Sequence, residues 1–332
     1  MRKILFLIYI LSCSSGILAA ADTLFLGPTN MRVSEEGEFS WVDTVPAPQP
    51  FDNLWAYHLY PEQKKLTGHG VTVAIADSGI SPHVEFNGKK VLGQDFTMSP
   101  SLTDWKNHGS GVAGIIGARG VRFIGIAPEA QLFIYKIDDG SRLIGPQAIV
   151  SAINTLLAYN QENPEQKVAV LNLSYGVHGG GNVALTHAIN RAYESGVLIV
   201  CPAGNLGFPG VHYPANLAST IAVGAMAADT THVYFNSSFG PEIDFIAPGD
   251  RIYTVDADGG YTLMSGTSAA AGFVSASAAL AVEGFKRKYG RYPSVDEIKK
   301  SLIDASVQMP GVPREKQGYG FIDVQKLEEQ FK

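Results

Sequence analysis

VTVAIADSGI, residues 71–80, is a continuous apolar run of strand length that ends on Asp77 and a Ser-Gly turn. A strand that is apolar on both faces has to be covered on both faces. The same signal returns in LFIYKI (132–137), VAVLNLS (168–174) and VLIVCPAG (197–204). Between these runs lie helical patterns: the small-residue stretch GSGVAGIIGA (109–118), PQAIVSAINTLLAYN (146–160) with Pro near its start, and NVALTHAINRAYESG (182–196) ending at Gly196. Such alternation predicts an α/β fold, a mostly parallel central sheet with helices on both faces. Sites in sheets of this kind lie beyond the carboxyl ends of the strands, and Asp77, Ser174 and Asn205 all fall just past apolar runs.

Two further segments carry chemistry of the same style. NHGSGVAG (107–114) holds His108 and MSGTSAAAG (264–272) holds Ser268, each among small residues that leave a side chain open to a cleft. Asp, His and Ser follow one another at separations of 31 and 160 residues. Ser268 begins a stretch that reads as a helix up to Gly290, so its hydroxyl and its N–H belong to a helix N-terminus. VCPAGNLG (200–207) sets Asn205 in a turn, where its amide can donate to an oxygen gaining charge during acyl transfer. Taken singly, a Ser after Gly-Thr is usually a cap and an Asp after a strand usually a turn residue; the ordered set carries the weight.

The order Asp, His, Ser and the local segments resemble the subtilisin-like serine proteases, or subtilases. The resemblance runs from about residue 51 to 324 and includes IGIAPEAQLFIYKI (124–137), LNLSYG (171–176), YPANLASTIAVGA (213–225), SSFGPEIDFIAPG (237–249) and GYGFIDV (318–324). It implies a three-layer subtilisin-like fold and an endopeptidase that works through an acyl-enzyme on Ser268, with His108 as base and acid and Asp77 orienting it. It also implies that Ser174, Tyr175, Gly176, Pro202, Ala203 and Gly204 wall the pocket for the side chain before the scissile bond. By the same resemblance Gly140, Ser141, Arg142 and Leu143 form the edge along which an extended peptide pairs. Leu206 adds no charge there, so apolar or aromatic side chains are expected in the pocket.

The chain has 332 residues, 45% of them hydrophobic, and a net charge of −6, with no basic footprint for nucleic acid. MRK followed by ILFLIYIL (4–11) has the shape of a secretory leader, and Ala19-Ala20-Ala21 suits cleavage after residue 21. Removing residues 1–21 leaves 23 cationic and 31 acidic side chains, a net of −8. Ile10-Leu11-Ser12-Cys13 is an imperfect lipobox, so the membrane is a partner only if Cys13 is lipidated. Residues 22–50 read as a short arm and 51–332 as one catalytic domain, exported and acting as a monomer on protein or peptide substrates. Cys201 reads as a small buried hydrophobe. The histidines outside the motif, including His178 and His212, show no zinc spacing, and neither metal nor cofactor is expected.

Three departures from the family stand out. Ala269-Ala270-Ala271-Gly272-Phe273 follows Ser268 where Met, small residues and then Pro-His are usual, Gly111 stands where a second His is common, and ARGVR (118–122) replaces a calcium-binding loop with two cations. These motivate a rival reading, an inactive scaffold that binds peptides or partner proteins. An esterase reading is disfavoured because Ser268 lies in Ser-Gly-Thr-Ser-Ala and not in G-x-S-x-G.

Overall fold

The computed structural model describes residues 31–33, 39–41, 55–58, 65–89, 91–97, 99, 101–140 and 145–332. The leader, Cys13 and three of the expected edge residues, Ser141, Arg142 and Leu143, lie outside the described residues. Within the expected arm, Met31–Val33 and Phe39–Trp41 pair as antiparallel strands.

Seven strands form the central sheet, in the spatial order Val91–Asp95, Gln131–Lys136, Thr72–Asp77, Val168–Leu173, Leu198–Pro202, Thr220–Met226, Phe245–Pro248. Every neighbouring pair is parallel, so all carboxyl ends meet at one edge. Side chains alternate between two cores. Val73, Ile75, Ile134 and Val200 face the helices Gly109–Gly117 and Thr267–Tyr289. Ala74, Ala76, Leu171 and Cys201 face the helices Pro146–Glu162 and Val183–Glu194. The three-layer α/β arrangement expected from the alternating runs is the one observed.

Helix Thr267–Tyr289 is buried from its first residue to Phe285. It is long and apolar enough to cross a membrane, but its apolar window lies wholly inside the protein. It stops at Gly290, whose φ of 67° is left-handed, and Lys286, Arg287 and Lys288 complement the negative end of the dipole. Gly272 and Phe273, at the end of the segment that departs from the family's pattern, lie within the continuous helix. Gly272 permits close approach, since a Cβ there would meet Ile115 Cγ2 at 3.2 Å.

The N-terminal side is tied down at two places. Tyr57, in the helical turn Trp55–His58, is 7% exposed; its ring packs on Phe123 and Phe273 and its hydroxyl donates to Tyr253 O at 2.9 Å. Further on, Glu328 accepts from Lys65 N and Leu66 N at 2.7 and 2.9 Å, and Glu283 accepts from Thr67 N and Gly68 N at 2.7 and 2.6 Å.

The loop 118–122, short and cationic in sequence, is organised by a carboxylate. Glu85, fully buried, accepts from Gly120 N at 3.1 Å and Val121 N at 2.9 Å through Oε2, and from Arg122 N at 2.6 Å and Tyr261 Oη at 3.0 Å through Oε1. Backbone N–H groups are thus turned toward the centre of the loop. A calcium loop turns carbonyl oxygens inward instead.

Candidate active site

Asp77 closes the strand Thr72–Asp77 and is 3% exposed. His108 caps the helix Gly109–Gly117, and its Nδ1 lies 2.8 Å from Asp77 Oδ1. Two loops must approach closely for this, and Gly109 allows it: a Cβ there would lie 2.3 Å from Gly79 O and 3.2 Å from Asp77 Cβ. Asp77 Oδ1 also accepts from Ser78 N at 2.6 Å. Burial pushes the Asp77 carboxyl up, but the His108 charge and hydrogen bond, the Ser174 hydroxyl and the Ser78 amide outweigh it and hold it below 3.8. Burial alone would lower the His108 imidazole; the charge and hydrogen bond of Asp77, with Asp104 adding, raise it above 6.5.

Several residues that hold this pair were not singled out in the sequence. Ser78 Oγ donates to Asp104 Oδ1 at 2.8 Å and accepts from Gly109 N at 2.9 Å, joining the aspartate turn to the histidine helix. Asp104, 3% exposed, also accepts from Ser110 N at 2.8 Å and so satisfies one of the free donors of that helix. Asn107, at φ 56°, accepts from Ala257 N at 2.7 Å and donates to Asp256 Oδ2 at 2.7 Å. Behind Asp77 runs a buried polar chain: Ser275 Oγ donates to Asn172 Oδ1 at 3.0 Å, and Asn172 Nδ2 donates to Ser174 Oγ at 2.9 Å.

Ser268 is the second residue of the long helix and 8% exposed. Its backbone N–H is one of the four at that end with no intrahelical acceptor. Asn205 reaches the same helix start, where its Oδ1 accepts from Thr267 N at 2.9 Å and Thr267 Oγ1 at 3.0 Å. With the oxygen so engaged, the Asn205 amide is held against the residue that precedes Ser268. Gly204 N donates to Thr267 Oγ1 at 3.3 Å, so the segment 202–205 is fastened to the residue before Ser268.

Of the expected wall residues, Tyr175, Pro202, Ala203 and Gly204 are buried, Ser174 is half-buried and Gly176 is exposed. Gly140 is exposed at φ 78°, its N–H donating to Asp138 Oδ1 at 2.9 Å. Gly111 leaves room for Thr254 and Met264, which a Cβ would meet at 3.2 and 3.3 Å. Cys201 is fully buried and its thiol is pushed well above its usual range.

Residues 68–320 match the model of the Subtilase family. The chain belongs to the subtilase family. Among related subtilases, the thermostable alkaline protease of Halalkalibacterium halodurans is 33% identical over 274 residues, which are 80% of this chain and 69% of that one. The minor extracellular protease Epr of Bacillus subtilis is 33% identical over 286 residues, 82% of this chain but only 41% of its own length. A mutant of the protease domain of PatA superposes with a TM-score of 0.71 at 28% identity, covering 81% of this chain and 98% of that domain. As a subtilase, the chain is placed in the class of subtilisin-like serine endopeptidases.

Proposed function

We propose that this subtilase hydrolyses peptide bonds through an acyl-enzyme on Ser268. The observation that carries the reading is the 2.8 Å bond between His108 Nδ1 and buried Asp77, which leaves the other ring nitrogen, Nε2, to act as base. His108 Nε2 takes the Ser268 hydroxyl proton as Oγ attacks the carbonyl carbon. The oxygen that gains charge is received by Asn205 Nδ2–H and the Ser268 N–H. His108 then gives the proton to the departing amine, and a water deprotonated by the same nitrogen releases the acid and restores Ser268. Asp77 keeps the imidazole in the productive tautomer and offsets its charge.

The walls 174–176 and 202–204 take the side chain before the scissile bond, and the peptide edge is entered at Gly140. An apolar preference has support at the surface, where Leu206 and Phe208 are 45% and 42% exposed. The leader-like residues 1–21 and the word "extracellular" in the name of the Bacillus subtilis relative support export; anchoring through Cys13 would add a membrane partner. The scaffold alternative finds no support in an oriented Asp77–His108 pair with Asn205 fixed beside Ser268.

The test is reaction of the folded protein with a fluorophosphonate probe, followed by mass mapping. Label on Ser268 that disappears in Ser268→Ala is the expected result. Folded protein that takes no label and cleaves no casein would sink the assignment.

A further inference from the structure

One side chain between the two walls has no part in the chemistry above. His212 N donates to Ala203 O at 2.9 Å, and the next residue, Tyr213, exchanges bonds of 2.9 and 3.0 Å with Val177. Its backbone is therefore tied to both walls, and its ring rises between them. A Cβ on Gly204 would lie 2.5 Å from His212 Cγ and Cδ2, and one on Gly176 would lie 3.4 Å from His212 Cβ and 3.5 Å from Nδ1. Glycines in two facing walls leave a slot between them, and here an imidazole of the chain itself occupies that slot.

The ring is held, not loosely parked. His212 is 8% exposed, with His178 at 5.5 Å between ring centroids and Phe208 at 5.3 Å beyond that. Burial, with the neighbouring His178, keeps the imidazole below its usual 6.5, so it is neutral near pH 7. Its Nε2 is buried without a hydrogen-bond partner among the described residues, an arrangement that works against stability. All the backbone bonds of residue 212 would survive with glycine in its place. The side chain is thus unexplained by the fold and sits where a substrate side chain would enter.

We propose that His212 is a specificity-determining residue: its imidazole fills the inner part of the pocket, so that cleavage follows small residues such as alanine, serine or glycine, and aromatic side chains are rejected. This rests on the catalytic reading of Ser268. It keeps the apolar character expected from Leu206 but replaces the expectation that aromatic residues fit. One surplus methylene in a filled pocket changes selectivity by about 10–200-fold, and a phenyl ring exceeds that step.

The experiment measures kcat/KM on peptide p-nitroanilides differing only in the residue before the cut, alanine, phenylalanine or glutamate. Beside it, fluorophosphonate labelling of Ser268 is followed in wild type, His212→Gly and His212→Ala. The expected result is at least about 100-fold preference for alanine over phenylalanine in wild type, and about 100-fold faster phenylalanine cleavage in His212→Gly, with Ser268 labelled by the probe in both. Equal cleavage after alanine and phenylalanine by wild type would overturn the proposal, as would a ratio left unchanged in both variants. A glutamate preference that grows below pH 6 would overturn it in favour of charge recognition. The wild-type profile decides even if a variant does not fold. Absence of labelling in wild type removes the catalytic reading and this proposal with it; labelling with aromatic selectivity removes this proposal alone.

Discussion

Replacing Glu85 by Gln tests whether a carboxylate alone organises the turn that follows the histidine helix. The carboxylate accepts from three backbone N–H groups and the Tyr261 hydroxyl while fully buried. Glutamine keeps one oxygen and turns an NH2 group toward two of the four donors. Two charge-assisted bonds, at about 1.5–3 kcal/mol each, are lost and two buried donors are left facing another donor. The expected cost is about 3–6 kcal/mol, a large part of the roughly 5–15 kcal/mol typical of a folded protein. At about 2–4 °C per kcal/mol for a domain approaching this size, Tm falls by about 6–24 °C. Urea unfolding followed by circular dichroism, in a Ser268→Ala background so that no self-digestion intervenes, reads the difference directly. A loss below about 1 kcal/mol would refute the reasoning, and so would full recovery of the Gln variant in millimolar calcium, because the turn would then be organised by a metal.

Activity should rise with pH through a midpoint above 6.5, since Asp77 raises the His108 imidazole and only its neutral form accepts a proton; a wild-type midpoint below 6 would contradict the pairing. For stability the sign is the reverse. The ion pair contributes fully below the unfolded value of about 6.5 and fades as pH rises through the raised folded value, so Ser268→Ala protein should unfold at lower urea at pH 9 than at pH 6. Asn205→Leu removes the amide donor and should lower kcat by about 10²–10³, the loss known for such a change in subtilisin, with KM little moved; a loss under about tenfold would assign the role elsewhere. Ser275→Ala strips Asn172 Oδ1 of the donor at 3.0 Å and should cost about 1–3 kcal/mol, measured by the same unfolding assay; a cost near zero would mean that the chain behind Asp77 has slack. Chelator should leave Tm unchanged, as nothing in the Glu85-centred turn calls for a cation.

What could be read from the residues depended on whether the signal was local. The strand Thr72–Asp77 and the helix ending at Gly290 were legible because continuous apolar runs and a terminal glycine are features of consecutive residues. The edge strand Val91–Asp95 was not, because it is only half-buried and carries Gly93 and Gln94 where an apolar run would be the cue. The hairpin of Ile252–Val255 and Tyr261–Met264 went unnoticed for a related reason: Thr254 and Thr262 interrupt its apolar pattern. The set proposed for the chemistry, Asp77, His108, Asn205 and Ser268, is legible in short local motifs. Ser78, Asp104, Asn107 and Glu85 act through partners distant in the chain, up to 176 residues away for Glu85 and Tyr261. His212 is the sharpest case. In sequence it is a histidine without metal spacing, and its place in the slot appears only when residues 212 and 213 are bonded to Ala203 and Val177.

The ties on the N-terminal side decide how the protein should be cut for expression. The family match spans 68–320, and a recombinant fragment trimmed to those limits would discard Tyr57, Leu66, Val324 and Leu327, which are 7%, 4%, 0% and 0% exposed. Phe123 and Phe273 would be left facing water where the Tyr57 ring had covered them, and Gly68 would begin the chain without the Glu328 anchor just before it. Such a fragment would contain every residue assigned to the chemistry and still behave as a sticky, fraying protein. A boundary placed before Trp55 and after Phe331, whose ring packs on Phe285 at 5.3 Å between centroids, keeps these contacts.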